Sequence, residues 1–148
     1  TVFAVYNCAY TTIYKPRNIM AIRRDAADKW FSDVIRLKAG YQCEHCGKQD
    51  GRMECAHIWG RAAKSVRWSM DNACCLCHYC HLRFTGNPLD FTQWLMEYHG
   101  PARLEILREK WNVLMPTTKK LRAEIAKHYR EEHKKMTANE TYEPVSYN

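Results

Sequence analysis

Residues 43–81 read CEHCGKQDGRMECAHIWGRAAKSVRWSMDNACCLCHYCH. Two C-x-x-C pairs, Cys43 with Cys46 and Cys77 with Cys80, open and close the stretch. Each pair brings two sulfurs together on a tight turn whose backbone N–H groups soften the thiolate charge. Two such pairs supply the four corners of the tetrahedron that a structural zinc ion prefers. The interval between them exceeds that of a simple zinc ribbon, so further structure is expected inside it. Seven of the eight cysteines fall between Cys43 and Cys80. A secreted disulfide framework would spread its cysteines and follow a signal peptide. Residues 1–19 have no basic first region, and Asn7, Thr11 and Thr12 interrupt their apolar run. Clustered Cys and His in a reducing compartment point to metal, and a cytoplasmic location is expected. Cys55, Cys74 and Cys75 are left over and read as small core residues.

Between the pairs, residues 52–59 are predicted as a strand, with Met53, Cys55 and His57 on one face and Glu54, Ala56 and Ile58 on the other. Residues 65–68 are expected to be the second strand of a hairpin. A helix is expected to start near Cys77 and run through His81 and Phe84. Upstream, residues 25–39 predict a helix: Asp25 and Asp28 have capping-box spacing, and Trp30, Phe31, Val34 and Ile35 form a stripe before Gly40. Downstream, Asn87 and Pro88 start one helix and Gly100-Pro101 end it. Residues 102–114 are predicted helical, with Leu104, Leu107, Trp111 and Leu114 along one side. Thr117 or Thr118 then caps a last helix to about Met136. The expected fold class is α+β, a small zinc-stabilised hairpin-plus-helix core with flanking α-helices. The expected divisions are residues 1–19 as an upstream extension or arm before a natural start at Met20, 20–100 as the metal-centred domain, 101–136 as a helical extension and 137–148 as a disordered tail.

Hydrophobic residues make up 46% of the 148-residue chain and charged residues 26%, a globular balance. The charge-free stretch at residues 1–14 is too short to cross a membrane as a helix. Lys and Arg number 23 against 16 acidic residues, a surplus of +7 that favours polyanionic partners, nucleic acid first.

His57 at the end of a strand, Asn72 five residues before Cys77, and His81 directly after Cys80 stand in one order with the four cysteines. This pattern, over residues 41–85, resembles the HNH endonucleases, the ββα-metal nucleases. The flanking residues Trp30, Phe31, Ile35, Arg36, Arg61 and Val66-Arg67-Trp68 look like those of bacteriophage members. The resemblance implies a divalent-metal-dependent DNA endonuclease whose products carry a 5′ phosphate. His57, with a pKa near neutrality, suits a general base for water. His81, fixed beside the Cys80–zinc bond, suits a ligand of a catalytic divalent cation such as Mg²⁺. Asn72 would hold the loop or orient the His57 imidazole. Ala56 departs from the pattern, because many members carry a metal ligand there. Glu54, on the same strand face, is the alternative second ligand.

Arg61, Lys64, Arg67 and Arg83 are candidates to seat the DNA backbone. Trp59 and Trp68 are expected in the hairpin core. Two other readings stay open: a zinc-stabilised module that binds DNA without cutting, favoured by Ala56, and a phage assembly protein that docks a partner through its C-terminal helices.

Overall fold

The computed structural model describes residues 23–147. Among the described residues, five α-helices surround one antiparallel hairpin: α1 Ala26–Lys38, β1 Met53–His57, β2 Ala73–Cys77, α2 His78–Gly86, α3 Pro88–His99, α4 Pro101–Trp111 and α5 Lys119–Ala138. Among the described residues, no helix is long and apolar enough to cross a membrane. The proposed extension 1–19 lies outside the described residues.

Helix α1 begins on the expected capping box. The Asp28 N–H donates to Asp25 Oδ1 at 3.1 Å, and the Asp25 N–H donates to Asp28 Oδ2 at 3.0 Å. It ends in a Schellman motif: the Gly40 N–H reaches the Leu37 carbonyl and the Tyr41 N–H reaches that of Arg36, both at 2.9 Å. Gly40 takes φ +59, the left-handed conformation that suits a residue without Cβ, and Tyr41 follows at φ +53. This reversal delivers the chain into the first cysteine pair.

The hairpin differs from expectation in its second strand. β1 pairs with β2 in the register Met53↔Cys77, Cys55↔Cys75 and His57↔Ala73. All five residues of β2 are buried, so its sequence carries none of the alternation of a half-exposed strand. Residues 65–68 form no strand. Ala63, Val66, Ser69 and Asn72 each donate a backbone N–H to the carbonyl three residues earlier, and this chain of turns carries residues 60–72 back to the sheet.

One polar group anchors that loop. The buried Asp28 carboxylate accepts Arg67 Nε at 2.9 Å, Arg67 Nη2 at 2.5 Å and Trp68 Nε1 at 3.1 Å. Burial alone would raise the Asp28 pKa, but the Arg67 and Asp25 hydrogen bonds hold it below the usual carboxylate range. Around this group, Phe31, Val34, Trp68, Leu76, Ile125 and Tyr129 form the core. Helix α5 packs along α1, and the Tyr129 hydroxyl donates to the Trp68 carbonyl. Residue 100 is therefore no boundary of packing.

The tail also departs from the expected disorder. The Val145 N–H donates to Glu132 Oε2 at 2.8 Å, and the Tyr147 N–H donates to the Tyr129 hydroxyl at 3.1 Å. Ser146 Oγ accepts the Met70 N–H at 3.2 Å. Helix α4 stops at Trp111, so Leu114, at 97% exposure, never joins the Leu107 stripe.

Asp28→Asn is expected to cost about 3–5 kcal/mol, because it leaves the buried Arg67 charge without its partner. The double variant Asp28→Asn/Arg67→Met should fall well short of the sum of the two single losses. Urea unfolding of the four proteins measures both.

Candidate metal centre and adjoining histidine cavity

The first cysteine pair follows the α1 reversal. The Cys43 carbonyl accepts the Gly47 N–H at 2.8 Å, and the Cys43 N–H donates to the Lys48 carbonyl at 2.8 Å, closing a knuckle. The second pair straddles the junction of β2 and α2. Cys77 ends the strand and caps the helix, its Sγ accepting the Cys80 N–H at 3.5 Å. The ligand atoms of Cys43, Cys46, Cys77 and Cys80 all lie within 4.8 Å of one another. The Cys46–Cys77 sulfur separation is 3.8 Å, the edge of a tetrahedron with metal–sulfur bonds of ~2.3 Å. Four converging thiols of this geometry could bind a structural metal such as zinc.

Supporting groups favour thiolate at Cys43, whereas burial and the neighbouring thiols push Cys80 up. Burial works against ionising Cys43, but backbone hydrogen bonds outweigh it and bring its pKa down to about 7. His45 Nδ1 lies 3.2 Å from Cys80 Sγ, while its ring packs on Phe84 and Trp94. The Glu44 N–H donates to the Cys75 carbonyl at 2.9 Å, and the Glu44 carboxylate accepts the Cys75 N–H, tying the knuckle to the edge of β2. The spare thiols are buried as expected, and burial pushes Cys55 and Cys75 up to about 12.

His57 and His81 line the same two cavities, of about 230 Å³ and 200 Å³, on either side of the end of β1. His57 rests against the Phe31 ring at 5.7 Å. Its Nε2 lies 3.1 Å from the Arg67 carbonyl. A carbonyl only accepts, so Nε2 carries the proton and Nδ1 keeps its lone pair. Burial, aided by the Arg61 charge, lowers the His57 pKa to about 4. The neutral form therefore prevails at physiological pH, a stronger shift than the near-neutral value expected from sequence.

His81 is held by a group that sequence reading had assigned otherwise. Its Nδ1 donates to Glu54 Oε2 at 2.6 Å, while Glu54 Oε1 accepts His78 Nδ1 at 3.1 Å and Arg52 Nε at 2.9 Å. Burial would raise the Glu54 pKa, but the His81 and His78 hydrogen bonds keep it low and ionised. Both carboxylate oxygens are thus engaged, and Glu54 serves as a brace that leaves His81 Nε2 available. The strand alternation that puts Glu54 and Ala56 on one face was the signal for it. Asn72 is fully buried and clamps the backbone of Trp59, accepting its N–H at 2.7 Å and donating to its carbonyl at 2.9 Å. It holds the loop and does not touch the His57 ring through any of these bonds.

The expected phosphate contacts separate. Arg61 lines the cavity with both histidines, and its Nη1 is enclosed without a hydrogen-bond partner among the described residues. Arg24, not singled out from sequence, lines the same cavity. Lys64 is exposed, and Arg83 pairs with Asp90 at 3.6 Å. Arg67 leaves the set: at 7% exposure its guanidinium is consumed by Asp28. Trp59 also departs from the expected hairpin core, being 40% exposed, whereas Trp68 is buried.

Purified protein is expected to carry one zinc per chain by elemental analysis. Cys77→Ser should lower that content and the unfolding midpoint together, since an ion at this site would hold two segments that the sequence separates. For His57, the ring resonances should show no titration from pH 8 to 5 and should move only near pH 4. Its folded pKa lies below the ordinary 6.5, so its contribution to stability is intact above pH 6.5 and is lost as pH falls towards 4.

Against known proteins, the family model of the bacteriophage lambda NinG protein matches residues 14–140. No curated protein and no solved structure matches the chain. The HNH assignment is thereby corrected: its pattern rests on a few positions in residues 41–85, a local constellation of cysteines and histidines, whereas the NinG match runs through the flanking helices as well. The bacteriophage connection survives, and the chain belongs to the family of the bacteriophage lambda NinG protein.

Proposed function

We propose that β1, β2 and α2 form a ββα-metal core and that the chain is a divalent-metal-dependent endonuclease hydrolysing DNA phosphodiester bonds. The observation that carries this reading is the shared cavity of His57, His81 and Arg61. Each imidazole there has one nitrogen committed to the protein and the other available.

His57 Nδ1 takes a proton from water as the water oxygen bonds to phosphorus and the P–O3′ bond breaks. The leaving oxygen is protonated from solvent, giving a 3′ hydroxyl and a 5′ phosphate. The Arg61 guanidinium, whose Nη1 makes no hydrogen bond among the described residues, seats the phosphate oxygens. His81 Nε2 would hold the cation, with Glu54 keeping the ring oriented. When bound, that cation supplies charge neutralisation at the phosphate and the leaving oxygen. The net charge of +7 suits the polyanion.

A second reading, a zinc-stabilised module that binds DNA without cutting, has one observation in its favour. Ala56 is buried and both Glu54 oxygens are engaged, so His81 is the single protein donor for the cation that the sequence suggested.

Plasmid nicking by zinc-loaded protein with Mg²⁺ or Mn²⁺ separates the two. His57→Ala should keep its zinc and fold but lose at least ~100-fold in rate. Glu54→Gln should need roughly 10–100-fold more divalent cation for the same rate. Absence of nicking in any divalent metal, with salt-sensitive DNA binding retained, selects the binding module. Equal rates in wild type and His57→Ala remove His57 from the mechanism.

A further inference from the structure

Trp59 and Trp111 come from different parts of the chain and stack on each other, with ring centroids 5.2 Å apart and planes 25° from parallel. They are 40% and 44% exposed. Neither is placed loosely. The Asn72 amide grips both backbone polar groups of Trp59, at 2.7 and 2.9 Å. The Trp111 carbonyl accepts Ser65 Oγ at 3.0 Å, and Lys110 Nζ reaches Asp71 at 2.8 Å, binding the end of α4 to the same loop. The protein thus holds two large aromatic rings in register at its surface, where burial gives them only part of their hydrophobic stabilisation.

Their neighbours decide what such a surface recognises. Trp59 is followed by Gly60 and Arg61, which line the cavity of His57 and His81. Two residues span at most about 7 Å of chain, so the Trp59 backbone, and with it the base of the stacked pair, lies within that reach of the cavity lining. An aromatic face near a cavity-lining guanidinium whose Nη1 makes no hydrogen bond among the described residues is complementary to one nucleotide: a flat base for the ring and a phosphate for the guanidinium. An apolar protein helix would cover the rings and leave Arg61 unsatisfied.

We infer that the Trp59–Trp111 pair is a stacking site for an unpaired nucleobase, adjoining a phosphate held by Arg61. The inference takes DNA as the ligand from the proposed function but does not require that the chain cut it. A base inside a duplex has both faces covered by its neighbours, so the site selects strands with at least one base free to leave the stack.

The test uses full-length, zinc-loaded His57→Ala protein without added divalent cation. Fluorescence anisotropy compares a mixed-sequence single strand of about ten nucleotides with an abasic strand of the same length, which keeps the phosphates and lacks the bases. The expected result is a preference of roughly tenfold or more for the strand with bases. Trp59→Ala and Trp111→Ala, each added to that background, should abolish the preference and leave abasic-strand affinity unchanged, while Trp59→Phe should retain part of it. Equal affinity for the two strands overturns the inference, as does a preference that survives both alanine substitutions. Equal affinity together with self-association lost in Trp111→Ala would give the face to a second copy of the chain, and also overturns it. If the alanine variants lose zinc, the comparison of the two strands on the parent protein still decides. Base preference without nicking in any metal would sink the proposed endonuclease and keep this site. Nicking without base preference would do the reverse.

Discussion

Convergence of the four thiols constrains everything around it. Cys77 is at once the last residue of β2, the cap of α2 and one corner of the tetrahedron. The strand-to-helix junction therefore has little freedom to rotate, and the residue after Cys80 inherits its direction. That residue is His81. From the other side, the Cys43–Cys46 knuckle is tied to β2 by the two Glu44 bonds to the Cys75 backbone. One ion would thus hold the end of α1, the edge of the sheet and the start of α2 in fixed relation. A hairpin of two five-residue strands has too small a core to manage this alone.

A second constraint works on the loop that the metal centre does not reach. Residues 58–69 form no helix or strand, yet they supply the carbonyl that sets the His57 tautomer. Asp28 solves this by spending one carboxylate on three donors of that loop while still accepting the Asp25 N–H that closes the α1 capping box. Arg67 is thereby frozen on both sides, its guanidinium on Asp28 and its carbonyl on His57. The buried ion pair is weak evidence for stability as such. Its value lies in location, since it fixes a backbone acceptor where no ladder exists to do so.

Features written in local chemistry were legible in the sequence. The Asp25–Asp28 box, the Asn87-Pro88 start and the Thr118 cap all depend on residues within a few positions, and each begins its helix as read. The two knuckles were legible for the same reason. What depends on burial from several sides was not. β2 reads as an unbroken apolar run because α1 and α2 cover it, while the alternation at residues 65–68 mimics a strand but comes from turns. Arg67 looks like a surface cation until Asp28 arrives from 39 residues away. The tail looks too polar to order, yet Glu132 and Tyr129 satisfy its backbone groups. Family membership was not legible, because the pattern read is confined to residues 41–85 while the family match runs over residues 14–140.

The cavity's electrostatics bear on whether a buried imidazole of low pKa can serve as a base. With Arg61 beside it and burial around it, His57 is neutral but a weak proton acceptor. Asp28 lines the same cavity, but its charge is already spent on Arg67, so it offers little compensation. A phosphate seated on Arg61 would change the smaller of these two effects that depress the ring, offsetting the guanidinium and bringing negative charge close to Nδ1, while burial remained. Proton affinity at His57 would then rise when the proposed polyanion is in place. In the empty cavity the same ring stays deprotonated, with its lone pair exposed, across the physiological range. On this account burial sets the low pKa of the free protein, and a basic role in a complex would draw on relief of the Arg61 charge that adds to it.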